Sequence, residues 1–91
     1  EYIEEYREKI LNELEIICME LIRYIDNILL PVTNDPKAIL FYEKTKGDFY
    51  RYIAEFKSNI ERTEFVCKAK QCYENAIELA NVECLVFESI Y

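Results

Sequence analysis

Ile3, Tyr6, Ile10, Leu14, Ile17, Leu21, Ile25 and Ile28 follow one another at spacings of three and four without interruption. A stripe sustained that long is the signature of a helix that keeps one apolar face, and it predicts a first helix from about Tyr2 to Leu30. Leu11, Cys18, Ile22 and Leu29 widen the stripe, so this helix is expected to meet more than one neighbour. At 1.5 Å per residue it runs roughly 43 Å, whereas a compact globule of this size is about 32 Å across. The helix therefore overhangs any globule the chain can build alone. Either the protein is an elongated helical array, or other chain, from the same protein or a partner, covers the overhang.

The rest of the sequence extends the same pattern. Pro31 lacks an amide hydrogen and disfavours helical geometry at Leu30, so it is expected to stop the first helix. Asp35 is a good N-cap, with Pro36 at the first helical position, and opens a second helix to about Lys57. Ser58 and Glu61 have the spacing of a capping box and introduce a third helix, 58–80, whose buried stripe is Phe65, Ala69, Cys72 or Tyr73, Ala76 and Ala80. Asn81, Cys84, Leu85 and Glu88 continue at helical spacing over 81–91. Short links between long amphipathic helices imply antiparallel neighbours. One Gly and two Pro in 91 residues leave almost no turn chemistry for hairpins. The reading is a single all-α unit over residues 1–91, an antiparallel array of long amphipathic helices.

Composition narrows the function. A net charge of −7 argues against a nucleic-acid surface, which needs clustered positive charge. No apolar run is long enough to span a membrane, and the charged start Glu1-Tyr2-Ile3-Glu4-Glu5 is unlike a signal peptide. A soluble, cytoplasmic protein is expected. Cys18, Cys67, Cys72 and Cys84 form no C-x-x-C pair and read as packed thiols. With no His in the chain, the commonest general base and zinc ligand is missing. No Ser or Cys has an evident base beside it, so neither a catalytic site nor a cofactor or metal site is expected.

Phe41 to Glu55 carries two signals at once. Phe41, Thr45, Phe49, Tyr52 or Ile53, and Phe56 recur at the period of a buried stripe. Lys44, Asp48, Arg51 and Glu55 recur on a neighbouring strip with alternating sign, so they can pair along a solvated face. Tyr52 borders both strips. Gly47 lies inside this helix at a cost of roughly 1 kcal/mol relative to Ala, which predicts close approach of another helix or a ligand.

The string Lys46-Gly47-Asp48-Phe49-Tyr50-Arg51-Tyr52-Ile53-Ala54-Glu55, with Phe41-Tyr42 before it, Tyr6-Arg7-Glu8-Lys9-Ile10, Glu13-Leu14 and Ile17-Cys18 earlier, and Tyr73-Glu74-Asn75-Ala76 later, resembles the 14-3-3 family of phosphopeptide-binding adaptors. The similarity covers most of the chain, but only the middle of such a protein, so a central fragment is expected. The resemblance implies a phosphoserine/phosphothreonine-dependent, non-catalytic adaptor in signalling that forms homo- or heterodimers and binds phosphorylated client proteins. It assigns phosphate binding to Arg51 and Tyr52. Peptide binding falls to Lys44, Asn81, Glu88 and Cys84, the last replacing a valine. Tyr6, Lys9 and Glu13 match the dimer face, which would cover the overhang of the first helix. These roles suit the side chains: Arg offers a planar fork of donors for bidentate phosphate contact, Tyr adds a neutral donor, and Asn can pair both groups of an extended peptide unit.

The chain also departs from the family pattern. The family's two further basic phosphate ligands belong before Glu1, and its apolar groove wall belongs after Tyr91. Between Ala80 and Asn81 the family carries a further loop and helix start. Either these are deleted or the chain is a set of joined segments, and the roles of Asn81 and Glu88 depend on which. A second reading is a phosphate-independent helical-repeat scaffold, since Gly47-Asp48-Phe49-Tyr50 with Ala69, Tyr73 and Ala76-Ile77 resembles one tetratricopeptide unit.

Overall fold

The computed structural model describes the backbone of residues 2–90 and the side chains of residues 2–81. Its extents are 62 × 25 × 18 Å, the elongated alternative predicted from the length of the first helix. Helix α1 spans Tyr2–Tyr24, passes through a π-helical turn at Ile25–Leu29 and ends in a last turn at Leu30–Val32. Helix α2 spans Pro36–Glu55 and helix α3 spans Asn59–Ile90. No strand occurs among the described residues, and the chain is all-α.

Pro31 does not stop the first helix. Leu30 keeps helical angles, φ −62° and ψ −42°, and the helix continues to Val32. The π turn explains this. The Leu30 amide donates to the Ile25 carbonyl, five residues back, and this wider turn eases the clash between a proline ring and the carbonyl four residues before it. The extra residue also alters the helical register. Ile22 and Ile25 are buried, while Ile28, expected on the same stripe, is half exposed.

Asp35 caps α2 as its sequence predicts, accepting a hydrogen bond from the Lys37 amide at 3.1 Å with Pro36 next in line. Helix α2 ends at Glu55, two residues short of the expected Lys57, with Phe56 as its C-cap at φ −110°. The capping box does not form: Ser58 contributes its backbone carbonyl, which accepts from the Arg62 amide at 3.4 Å. The chain enters α3 through Asn59 at φ 57°, a left-handed conformation that Asn tolerates better than most residues. The division into helices 58–80 and 81–91 is also replaced by one helix, which runs through Ala80 and Asn81 to Ile90. No Gly or Pro lies near that junction to break it.

Helices α2 and α3 are antiparallel and form most of the core. Ile53 and Ala54 from α2 and Ala69, Cys72 and Ala76 from α3 are all buried, and the small side chains of α3 allow the backbones to approach closely. Gly47 meets the helix its sequence position predicts: a Cβ there would lie 2.7 Å from Cε1 of Tyr73. Helix α1 crosses α2 more lightly, antiparallel to it. Two ion pairs fix that crossing, Lys46 with Asp26 at 2.6 Å and Lys57 with Glu15 at 2.7 Å.

The buried face of α2 differs from the expected stripe. Of the expected positions Ile53 is buried, but Phe41 and Tyr52 are exposed, and Glu43, Lys46, Gly47 and Ala54 join Ile53 in the buried set. The reason is that α2 turns its small-residue strip toward α3. Phe41, Thr45 and Phe49 then line an open cleft toward Leu21, Tyr24 and Leu29 of the α1 segment. Among the cysteines, Cys72 is buried as expected and Cys18 is half-buried, whereas Cys67 is exposed because it falls on the outer side of α3. Cys84 lies outside the described side chains.

Candidate functional site

Helix α2 carries a row of charges one turn apart, and the structure shows how each is used. Lys44 Nζ donates to Asp48 Oδ2 at 3.1 Å. The other oxygen of Asp48, Oδ1, accepts from the Tyr73 hydroxyl of α3 at 2.5 Å. Arg51, one turn on, pairs loosely with Glu55, Nη1 to Oε1 at 3.8 Å, and lays its guanidinium carbon 5.1 Å from the centre of the Tyr52 ring. Each of the two side chains is about half exposed, Arg51 at 53 % and Tyr52 at 46 %.

Electrostatics favour the charged forms of Asp48 and Arg51. The Tyr73 hydroxyl, with smaller help from Lys44 and Arg51, keeps the Asp48 carboxyl below its ordinary range. The same hydroxyl, followed by Tyr52 and Asp48, pushes Arg51 further up. The Tyr73 phenol itself is raised, first by burial and then by donating to Asp48. At neutral pH the strip presents a fixed carboxylate, an ammonium tied to it and a guanidinium with donors to spare.

Arg51 stands at the rim of an apolar cleft of about 540 Å³, lined with it by Val66, Ala69, Lys70, Tyr73, Glu74 and Ile77. The structure therefore brings Arg51 beside Tyr52 and beside the cleft, but Tyr52, Lys44 and Asn81 do not line that cleft. Asn81 is exposed on α3. Cys84 and Glu88 lie outside the described side chains. Tyr6, Lys9 and Glu13 are exposed on α1, together with Ile3, Leu14 and Ile17. That face mixes apolar and charged side chains, all of them exposed.

A second polar cluster was not foreseen. Lys46 reaches Asp26 at 2.6 Å and Glu43 Oε1 at 3.3 Å. Asn75 donates to Glu43 Oε2 at 3.0 Å and accepts from Gln71 at 3.0 Å. Burial alone would lower the Lys46 pKa, but the hydrogen bond to Asp26 and the charges of Glu43 and Asp26 outweigh it and raise the group. This network ties the π turn of α1 to α2 and α3, and fixes the rotation of α2 that sets Arg51 and Tyr52 outward. Its sequence signal was the three-residue spacing of Glu43 and Lys46 on the side facing α3. Among the described residues, no group of His, Cys, Asp or Glu side chains is arranged to hold a metal, and no helix is long and apolar enough to cross a membrane.

Comparison with known proteins gives one answer. The sequence model of the 14-3-3 protein family matches residues 1–91. The chain is 39 % identical over 79 residues to 14-3-3 protein beta/alpha-A of Xenopus laevis, covering 87 % of this chain and 32 % of that protein. It is 42 % identical over 81 residues to 14-3-3-like protein B of Vicia faba, covering 89 % and 31 %. To 14-3-3-like protein 2 of Caenorhabditis elegans it is 41 % identical over 76 residues, covering 84 % and 31 %. The chain thus spans about a third of the length of the curated relatives it matches. With matches of this extent in a vertebrate, a plant and a nematode, and a helical array to go with them, the chain belongs to the 14-3-3 family.

Proposed function

We propose that this chain supplies part of the binding face of a phosphoserine/phosphothreonine-dependent adaptor that regulates client proteins without catalysing a reaction. The observation that supports this most is the state of Arg51. It is half exposed, seated against Tyr52 at 5.1 Å, and its carboxylate partner Glu55 is no nearer than 3.8 Å. A phosphate monoester carries about −1.5 to −2 charges at pH 7, and a guanidinium with spare donors can meet two of its oxygens at once. In this reading Arg51 and Tyr52 take the phosphate, and Lys44 adds a cation one helical stretch away. Asn81, Glu88 and Cys84 contact the peptide chain. Tyr6, Lys9 and Glu13, with the apolar side chains around them, pair with a second subunit. Work in the cytoplasm on phosphorylated clients fits this chemistry.

The test is a titration of the full chain with matched phosphorylated and unmodified peptides, followed by fluorescence anisotropy. Binding is expected for the phosphorylated peptide alone, with a loss of at least about ten-fold on Arg51→Ala, the value of a charged hydrogen bond left unmade. Equal affinity for both peptides would overturn the reading in favour of a phosphate-independent helical scaffold.

A further inference from the structure

We infer that Tyr73 is a positioning residue for the anion site on α2: its hydroxyl holds Asp48 in a pairing with Lys44 and so withholds that carboxylate from Arg51. The inference rests on the reading of Arg51 as a phosphate ligand and adds a residue from a different helix to it. Residues three apart on a helix are neighbours, and an acid and a base at that spacing ordinarily pair. Asp48 and Arg51 have that spacing, yet Asp48 spends Oδ2 on Lys44 at 3.1 Å and Oδ1 on Tyr73 at 2.5 Å. Among the described residues the carboxylate paired with Arg51 is that of Glu55, at 3.8 Å, and the Tyr73 hydroxyl also acts directly on the guanidinium.

Tyr73 can do this only because Gly47 has no side chain. Its ring lies where a Cβ on Gly47 would be, 2.7 Å from that position, and this brings the hydroxyl onto the α2 surface one residue along, at Asp48. Each oxygen of the carboxylate is thus engaged by a donor other than the arginine, which orients it away from the guanidinium. The guanidinium stays open to a phosphate, and a fixed negative charge near it does not become its permanent partner. The spare donors of Arg51 depend in this way on the docking of α3 against α2.

The full chain with arginine side chains labelled with nitrogen-15, compared with Tyr73→Phe, tests this directly. Phe keeps the ring over Gly47 and removes the hydroxyl. In the absence of peptide, exchange of the Arg51 Nε hydrogen is expected to slow roughly three-fold in Tyr73→Phe, the protection of a half-exposed ion pair, because Asp48 captures the guanidinium. Unchanged or faster exchange overturns the inference. In parallel, affinity for a phosphoserine peptide is expected to fall about three-fold on Tyr73→Phe, and not at all when the same change is made in the Asp48→Asn background, where no carboxylate remains to compete. An equal loss in both backgrounds would mark Tyr73 as a packing residue only and overturn the inference. Failure of any phosphopeptide to bind would overturn the phosphate reading, with the exchange result still deciding the role of Tyr73.

Discussion

Replacing Gly47 by Ala should destabilise the protein, against the ordinary helix preference, and the size follows from its surroundings. In an exposed helix interior the change stabilises by about 1 kcal/mol. Here the new Cβ would sit 2.7, 2.9 and 3.0 Å from Cε1, Cδ1 and Cζ of Tyr73, all well inside van der Waals contact. The ring cannot swing aside freely, because its hydroxyl is bonded to Asp48 at 2.5 Å. Overpacking of this kind costs about 1–3 kcal/mol, and weakening a half-exposed bond to a carboxylate adds about 1 kcal/mol. Set against the helix gain, the net loss is about 1–3 kcal/mol. Urea denaturation should show it as a lower midpoint at unchanged slope. The sign should reverse in the Tyr73→Ala background, where the space is open and Gly47→Ala should stabilise by up to about 1 kcal/mol. A rise in stability on Gly47→Ala alone would refute the close approach of Tyr73 and everything argued from it.

Lys46→Met should lose about 2–3 kcal/mol in the same denaturation assay. Removing one member of a buried pair leaves the others uncompensated, here Glu43 buried and Asp26 partly exposed. Because the folded state raises the Lys46 pKa, its contribution is complete below the unfolded value of about 10.4 and is lost as pH rises through the folded value. The stability difference between the native protein and Lys46→Met should therefore shrink only in strong alkali, and a difference that changes between pH 6 and 9 would contradict the assignment. Asp48 behaves in the opposite sense. Its folded pKa is depressed, first by Tyr73, so its contribution is present above the unfolded value of about 3.9 and lost as pH falls through the folded one. The stability difference between the native protein and Asp48→Asn should be constant near neutrality and disappear below about pH 4; a constant difference down to pH 2 would show that Asp48 is not held as described.

Local and periodic features could be read directly from the residues. The apolar stripes, the Asp35-Pro36 start and the scarcity of Gly and Pro determined an all-helical chain, with elongation as one of two alternatives, because backbone hydrogen bonding within a helix and the period of its faces are properties of neighbouring residues. The charged strip of Lys44, Asp48, Arg51 and Glu55 was legible for the same reason, and its two pairs along the helix are those its spacing predicts. Gly47 announced a close approach, though not the residue that would make it.

What the tertiary structure decided was the rotation of each helix about its own axis. An apolar stripe gives a face but not its partner, so it assigns Phe41 to the core and leaves Tyr52 and Ile53 as alternatives, when α2 in fact buries Ile53 with Glu43, Lys46 and Ala54 and leaves Phe41 and Tyr52 exposed. The Lys46, Glu43, Asp26 and Asn75 network and the Tyr73 bond to Asp48 join residues 20 to 32 positions apart, contacts that no local pattern encodes. The π turn before Pro31 also belongs here, since i→i+5 bonding leaves no spacing signature of its own. Helix formation is settled by interactions within a few residues, whereas the choice of which side chains are buried depends on the neighbour against which each helix packs.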